Sequence, residues 1–194
     1  MTPNLILGTM RKITYFIELS WRVIMGRKVF YSLHYQLDAT RSESIRAATE
    51  LQGNQVLPKE QWQRLIQSGG DEIQHWIDTQ LRACACTVVL IGRESRSRKW
   101  VKYEIQKSWD EGKGLLGIYV HNLEDEFGSQ SIKGVNPFSI FTIRQDGKRL
   151  SDVVKTYDPP GNNTQDVGEY IVKHLPEWVE EAICIRNHYR RRRA

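Results

Sequence analysis

The sequence predicts an α/β fold, a parallel sheet with helices on both faces. Two runs, 87–91 (Thr-Val-Val-Leu-Ile) and 115–120 (Leu-Leu-Gly-Ile-Tyr-Val), are apolar without alternation, and a third, 28–33, carries Val29, Phe30 and Tyr31 in succession. Strands apolar at every position are covered on both sides, as in parallel sheets. Segments with helical spacing separate these runs, the alternation expected of strand–helix–strand units. Hydrophobic residues at 40% and charged residues at 26% supply enough apolar surface for one domain with extensions.

The first 25 residues read as an N-terminal extension. Residues 4–24 look apolar, but Arg11, Lys12, Glu18 and Arg22 interrupt them. They fall short of the roughly 18–20 unbroken apolar residues of a membrane span. One reading is an amphipathic helix lying on the domain or on a membrane surface. The favoured one is a natural start at Met25, because Met25-Gly26-Arg27-Lys28 leads straight into the first strand.

After the strand at 28–33 come His34 and Tyr35, then Asp38 as the expected N-cap of a helix to about Leu51. Gly53-Asn54 ends it, and 55–57 reads as a brief second strand before Pro58. Trp62, Leu65 and Ile66 give 59–67 a short helical face, broken by Ser68-Gly69-Gly70. Asp71 is then expected to cap a helix with Ile73, Trp76, Ile77 and Leu81 on one side. Beyond the strand at 87–91, residues 92–99 form a polar, arginine-rich loop. A helix carrying Trp100, Glu104, Ile105, Lys107 and Ser108 follows and ends near Gly112.

The pattern weakens after His121. Residues 122–138 read as a long loop punctuated by Gly134, Asn136 and Pro137. Residues 140–143 and 153–157 are expected to be strands flanking the turn Asp146-Gly147. A linker over 159–163 precedes a last helix from Asp166 to about His188, kinked at Pro176. The expected division is an N-terminal extension (1–25), a domain (26–143) and a C-terminal extension (144–194) with that helix and an arginine tail.

Charge excludes one obvious function. The net charge of +5 falls to +1 (5 minus 4) without Arg190, Arg191, Arg192 and Arg193. A terminal tail is not the cationic face that duplex binding needs, so no nucleic-acid partner is expected. Cys84, Cys86 and Cys184 are odd in number and lack zinc-ligand spacing, so they read as small core residues in a reducing compartment. No secretory signal stands out, and no metal site is expected.

Ligands of parallel α/β sheets bind at the carboxyl ends of the strands, near a topological switch point. Ser32, His34, Tyr35, residues 92–99 and His121 are the candidates there. No glycine-rich phosphate loop follows the first strand, which argues against a dinucleotide dehydrogenase or a P-loop NTPase. No acidic pair follows it either, against a magnesium-binding receiver domain. Ser32 lacks a histidine and acid in a triad-like relation. Trp100 and Glu104, spaced i, i+4, share one helix face. They offer a carboxylate beside an aromatic wall, a combination that can hold ribose and stabilise an oxocarbenium-like transition state. The bland alternative is a core tryptophan and a salt-bridged glutamate, with Lys107 or Arg98 as partner. Arg93, Arg96 and Arg98 suit phosphate or plain solvent.

Phe30-x-Ser32-x-His34-Tyr35, then Val88-Val89-Leu90-Ile91-Gly92, Ser95, Trp100-x-x-x-Glu104 and Asn136-Pro137-Phe138, resemble in order the motifs of TIR domains. The resemblance covers roughly 26–140 and is strongest to the bacterial TIR-like sensors of Thoeris anti-phage defence. It implies a flavodoxin-like fold and an NAD glycohydrolase or ADP-ribosyl cyclase activity. In that reading Glu104 is catalytic, and Ser32, His34, Tyr35, Trp100 and Tyr103 line the substrate site. NAD is the substrate, and no separate cofactor is implied. It further implies a cyclic ADP-ribose isomer that activates a downstream effector, self-association, and a cytoplasmic protein with no membrane role. The rival expectation is a non-enzymatic scaffold module. The segment 58–67 departs from the usual TIR loop, and His34 and Tyr35 stand where many TIR domains carry other polar residues.

Overall fold

The structure, a computed structural model, describes residues 27–48, 52–53 and 59–191. The expected N-terminal extension, the strand expected at 55–57, and Arg192 and Arg193 of the tail lie outside the described residues. Five parallel strands form one sheet in the order β2-β1-β3-β4-β5. They are β1 Lys28–Ser32, β2 Gln52–Gly53, β3 Cys86–Ile91, β4 Gly114–Tyr119 and β5 Thr156–Tyr157. The helices are α1 Tyr35–Ala48, α2 Lys59–Ser68, α3 Gly70–Arg82, α4 Lys99–Asp110 and α5 Thr164–Arg191. This is the flavodoxin-like order, and its switch point lies between β1 and β3.

β3 is the centre of the sheet, running from Val29↔Cys86 to Ser32↔Val89 against β1 and from Cys86↔Gly114 to Ile91↔Tyr119 against β4. All six of its residues are buried because helices cover both faces. Val88 and Leu90 pack with Ile45 of α1 and with Val167, Ile171, Leu175 and Val179 of α5. Val89 and Ile91 pack with Val101 and Ile105 of α4 and with Phe138. Phe30 of β1 meets Ile73, Ile77 and Leu81, one turn apart on α3. Full burial of each such side chain contributes about 1.5–3 kcal/mol, which makes this central stack the main source of stability.

Glycine sets two boundaries. Gly112, at φ 79°, takes the left-handed conformation that ends α4, and its N–H reaches the Trp109 carbonyl at 3.1 Å. At Gly114 an added Cβ would stand 2.9 Å from the backbone nitrogen of Ile183, so only glycine lets α5 lie directly on β4.

Several elements differ from expectation. α1 begins at Tyr35, its first turn closed by the His34 carbonyl accepting from Leu37 and Asp38. Asp38 is therefore not a cap but a buried residue within that turn. Likewise Gly69, at φ 122°, caps α3 without a side chain. Asp71 and Glu72 fall in its first turn, where the helix dipole favours them. Of the two strands expected around Asp146-Gly147, the second shortens to β5 and the first shrinks to one antiparallel bridge, Thr142↔Arg149. Short 3-10 turns, Pro137–Ile140 and Leu150–Asp152, flank it. β5 instead pairs parallel with β4 through Gly117↔Thr156 and Ile118↔Tyr157. The last helix starts at Thr164 and is continuous through Pro176. Cys84 and Cys86 are buried as expected of core residues, but Cys184 of that helix is exposed. Residues 144–191 thus supply an edge strand and a helix packed on the sheet.

Candidate active site

β1 ends at Ser32, on the face that Phe30 presents to α3 and α4. Val101, Glu104, Ile105 and Ser108 are the buried stripe of α4. That stripe brings Glu104 to Ser32, whose Oγ donates to Glu104 Oε2 at 2.5 Å. One turn on, Ser108 Oγ donates to the Glu104 carbonyl at 2.6 Å and meets Thr87 Oγ1 of β3 at 2.7 Å. α4 is thereby held in register with the sheet on both sides of Glu104. Ser32 has no exposure and Glu104 only 7%. Burial drives the Glu104 carboxyl up to about 8, with the Ser32 hydrogen bond opposing the shift. At neutral pH this acid keeps its proton, in a site that a cation can make ionise.

A second group lies at the same ends of β1 and β3. His34 Nδ1, Asp38 Oδ2 and Arg98 Nε are buried atoms with no hydrogen-bond partner among the described residues. Burial, and then the charge of Arg98, lower His34 to about 4, so its ring is neutral. Burial raises Asp38 to about 6 although Arg41 stands 3.4 Å away. Asp38 also lies against Gly92, where an added Cβ would come within 2.2 Å of its Oδ2. Gly134 approaches the same point, since its Cβ would sit 2.0 Å from the Gly92 carbonyl. Unsatisfied buried polar atoms are rare in proteins, and their concentration at a switch point marks a place for a ligand.

The remaining predicted site residues are distributed more widely. Trp100 meets Tyr103 edge to face at 6.0 Å, and both pack into the cluster of Phe30 with α3. The Tyr103 hydroxyl donates to Asp78 at 2.7 Å, tying α4 to α3 and pointing away from the Ser32–Glu104 pair. Tyr35 stacks on Trp62 of α2 at 4.8 Å. Those two rings line a cavity of about 530 Å³ with Leu37, Glu43, Asp125 and Phe127. Neither Ser32 nor Glu104 lines that cavity, so the open space and the buried carboxyl do not coincide. The carboxyl is the stronger indicator, because a perturbed acid at the switch point has chemistry that a surface hollow lacks. Asn136 Oδ1 accepts from the Phe138 N–H at 2.9 Å and starts the turn that buries Phe138 against Gly117. The Asn-Pro-Phe motif is thus an anchor for the loop beside the site.

Arg41 and the stacking of Trp62 on Tyr35 were not expected from the sequence. Arg41 donates to the carbonyls of Leu37, Leu123 and Ser129 at 2.6–2.9 Å and pins the loop after β4. Its only sequence signal is a cation three residues after Asp38. Among the described residues no group of three or more His, Cys, Asp or Glu side chains is placed to hold a metal ion. None of the described helices is long and apolar enough to cross a membrane.

Residues 30–125 match the protein family described as Thoeris protein ThsB, TIR-like domain. The chain is also 29% identical over 134 residues to a Bacillus cereus (strain MSX-D12) protein named "Putative cyclic ADP-D-ribose synthase ThsB1", a match covering 65% of this chain and 69% of that protein. The matched family segment contains β1 from Phe30 onward, the orphaned polar atoms of His34, Asp38 and Arg98, and all of α4 with Glu104.

Proposed function

The chain belongs to the TIR-like domain family of Thoeris ThsB proteins over residues 30–125, and from that premise we propose that it cleaves NAD as a defence signalling enzyme. The observation that carries the reading is Glu104, buried at the β1–β3 switch point and held by Ser32. NAD is the substrate and the reaction calls for no further cofactor. The bond that breaks joins the ribose anomeric carbon to the nicotinamide nitrogen, whose electron pair leaves with nicotinamide as a neutral ring. The pyridinium of bound NAD is cationic, and a positive charge beside a buried carboxyl favours its ionised form. Glu104 then releases its proton to solvent while the site is open for NAD entry, and faces the developing ribosyl cation as a carboxylate, the kind of preorganised charge that lowers such barriers most. Capture of that cation by the adenine of the same molecule gives a cyclic ADP-ribose isomer and releases a proton. Capture by water gives ADP-ribose and likewise releases a proton.

The 29% identical relative, by name a cyclic ADP-D-ribose synthase, supports the cyclase outcome. The cyclic product would carry the signal to a downstream effector. Ser32 positions the Glu104 carboxyl, and His34 and Trp100 bound the site around it. Tyr35 and Tyr103 lie at its margins. With Ser32 and Glu104 closed to solvent, substrate entry requires an opening of the α4–β1 contact, and self-association or an infection trigger would supply it. The thiols of Cys84, Cys86 and Cys184 are free, consistent with a cytoplasmic location.

The test is mass spectrometry of NAD and its products in cells expressing the chain or its Glu104→Gln form, with and without phage. The expected result is a cyclic ADP-ribose species that drops at least ~100-fold in the Gln form. A folded Glu104→Gln protein making the same products at the same rate would exclude this role for Glu104.

A further inference from the structure

We propose that Arg93, Arg98 and the amino end of α4 form the diphosphate subsite of this site, and that Glu94 occupies it as an internal competing anion. The inference rests on the NAD reading above and assigns the part of the dinucleotide that Glu104 does not touch. The loop from Gly92 to Arg98 leaves the carboxyl end of β3 beside the switch point. Within it the two oxygens of Glu94 each take a guanidinium. Oε1 is 3.3 Å from Arg93 Nη2, and Oε2 is in contact with Arg98 Nη2. Two cations thus converge on one carboxylate and leave an unbalanced positive charge.

Arg98 is also the N-cap residue of α4 and makes no side-chain cap. The first-turn N–H groups of α4 therefore add their partial positive charge at the same place. Two buried atoms there lack partners among the described residues, Arg98 Nε and His34 Nδ1. His34 is 8% exposed and close enough for the Arg98 charge to act on its ring. Besides Glu94, Asp38 opposes this charge: its Oδ1 is 3.4 Å from Arg41, and its carboxyl also feels the Arg93 charge.

The placement suits a dinucleotide. Six helical steps separate Arg98 from Glu104, about 9 Å along the axis. A ribose and its 5′ carbon lie between the scissile nicotinamide bond and the diphosphate, so one helix can hold both ends. Arg93, Glu94 and Arg98 are all part-exposed, at 53%, 33% and 40% of their side-chain surface. The subsite is therefore open to solvent while Glu104 is not. A carboxylate in half-exposed pairs is weakly held. A diphosphate carries more charge and more acceptor oxygens for forked arginine contacts, and displaces it.

The experiment is calorimetric titration of the intact chain with ADP-ribose, which has the diphosphate but no nicotinamide bond to break. Adenosine serves as the phosphate-free control. Glu94→Gln is expected to bind ADP-ribose about three- to tenfold tighter, and Arg98→Gln at least about tenfold weaker. Adenosine binding is expected to stay unchanged in both. A Glu94→Gln protein that binds ADP-ribose no tighter than the parent overturns the proposal. So does a parallel shift with adenosine, or the absence of ADP-ribose binding by Glu94→Gln. Melting curves of the variants separate lost binding from lost fold. Glu104-dependent NAD cleavage with no Glu94 effect would sink the subsite and leave the enzyme. The expected ADP-ribose shifts without any NAD cleavage would keep the subsite and sink the reaction.

Discussion

On the α5 side of the sheet, Tyr157 of β5 stacks on Trp178 at 4.0 Å, and His174 and Tyr170 continue the pile of rings. The polar groups there are paired. Tyr157 donates to Glu181 at 2.6 Å, Lys155 meets the same carboxylate, and Arg27 reaches Glu180 at 2.8 Å. At the carboxyl ends of β1 and β3 the polar groups are only partly paired. His34, Asp38 and Arg98 each leave an atom unsatisfied, and Glu104 is a carboxylic acid closed into the core. The same sheet supports both regions. What separates them is that the groups around the ring stack are paired as folded, while the strand ends leave buried polar atoms open, the pattern expected where stability is given up for function.

If that contrast holds, damage to the first region should be read in stability and damage to the second in activity. Trp178→Ala removes the central ring of the stack and should destabilise the fold by about 3–5 kcal/mol in denaturant titration. A loss under about 1 kcal/mol would mean that the α5 face is not the structural base assigned to it. Gly134→Ala forces a Cβ onto the Gly92 carbonyl. It should shift the loop over the site at a cost of about 1–3 kcal/mol. NAD turnover measured well below the melting point should fall with it, and unchanged turnover would detach that loop from the site.

Ser32→Ala removes the hydrogen bond that opposes the upward shift of Glu104. Turnover should drop about tenfold. The rising limb of its pH profile should also move to higher pH, because the carboxyl becomes harder to ionise. A drop with no movement of the profile would mark Ser32 as a packing residue only.

Much of this was legible in the sequence where the cause is local. The runs around Val29, Val88 and Leu116 announce buried strands because burial on both faces leaves no polar alternation. Glu104 was legible through its spacing from Trp100 and the motif around it. Of the strand expected at 153–157 only Thr156–Tyr157 forms, and its parallel pairing was not legible, because that depends on Gly117, far away in sequence. Asp38 was misread for a related reason. Its residue type suits a cap, but the His34 carbonyl already closes that turn, and tertiary packing draws the side chain inward against Gly92. Tyr103 shares a helix with Glu104, yet a single residue of offset turns its hydroxyl to Asp78.

The most direct test of the contrast is the melting temperature of Glu104→Gln relative to the parent, followed from pH 5 to pH 9. Glu104 holds its proton to about pH 8 in the folded chain and to only about 4.3 when unfolded. Between those values the folded state binds more protons, so parental stability falls as pH rises and levels off above pH 8. Glutamine keeps the shape without that penalty. The account predicts that Glu104→Gln melts higher, with a gain that grows from pH 5 to pH 8 while turnover is lost. A variant that melts lower, or with a difference independent of pH, would show Glu104 to be a structural residue and contradict the account.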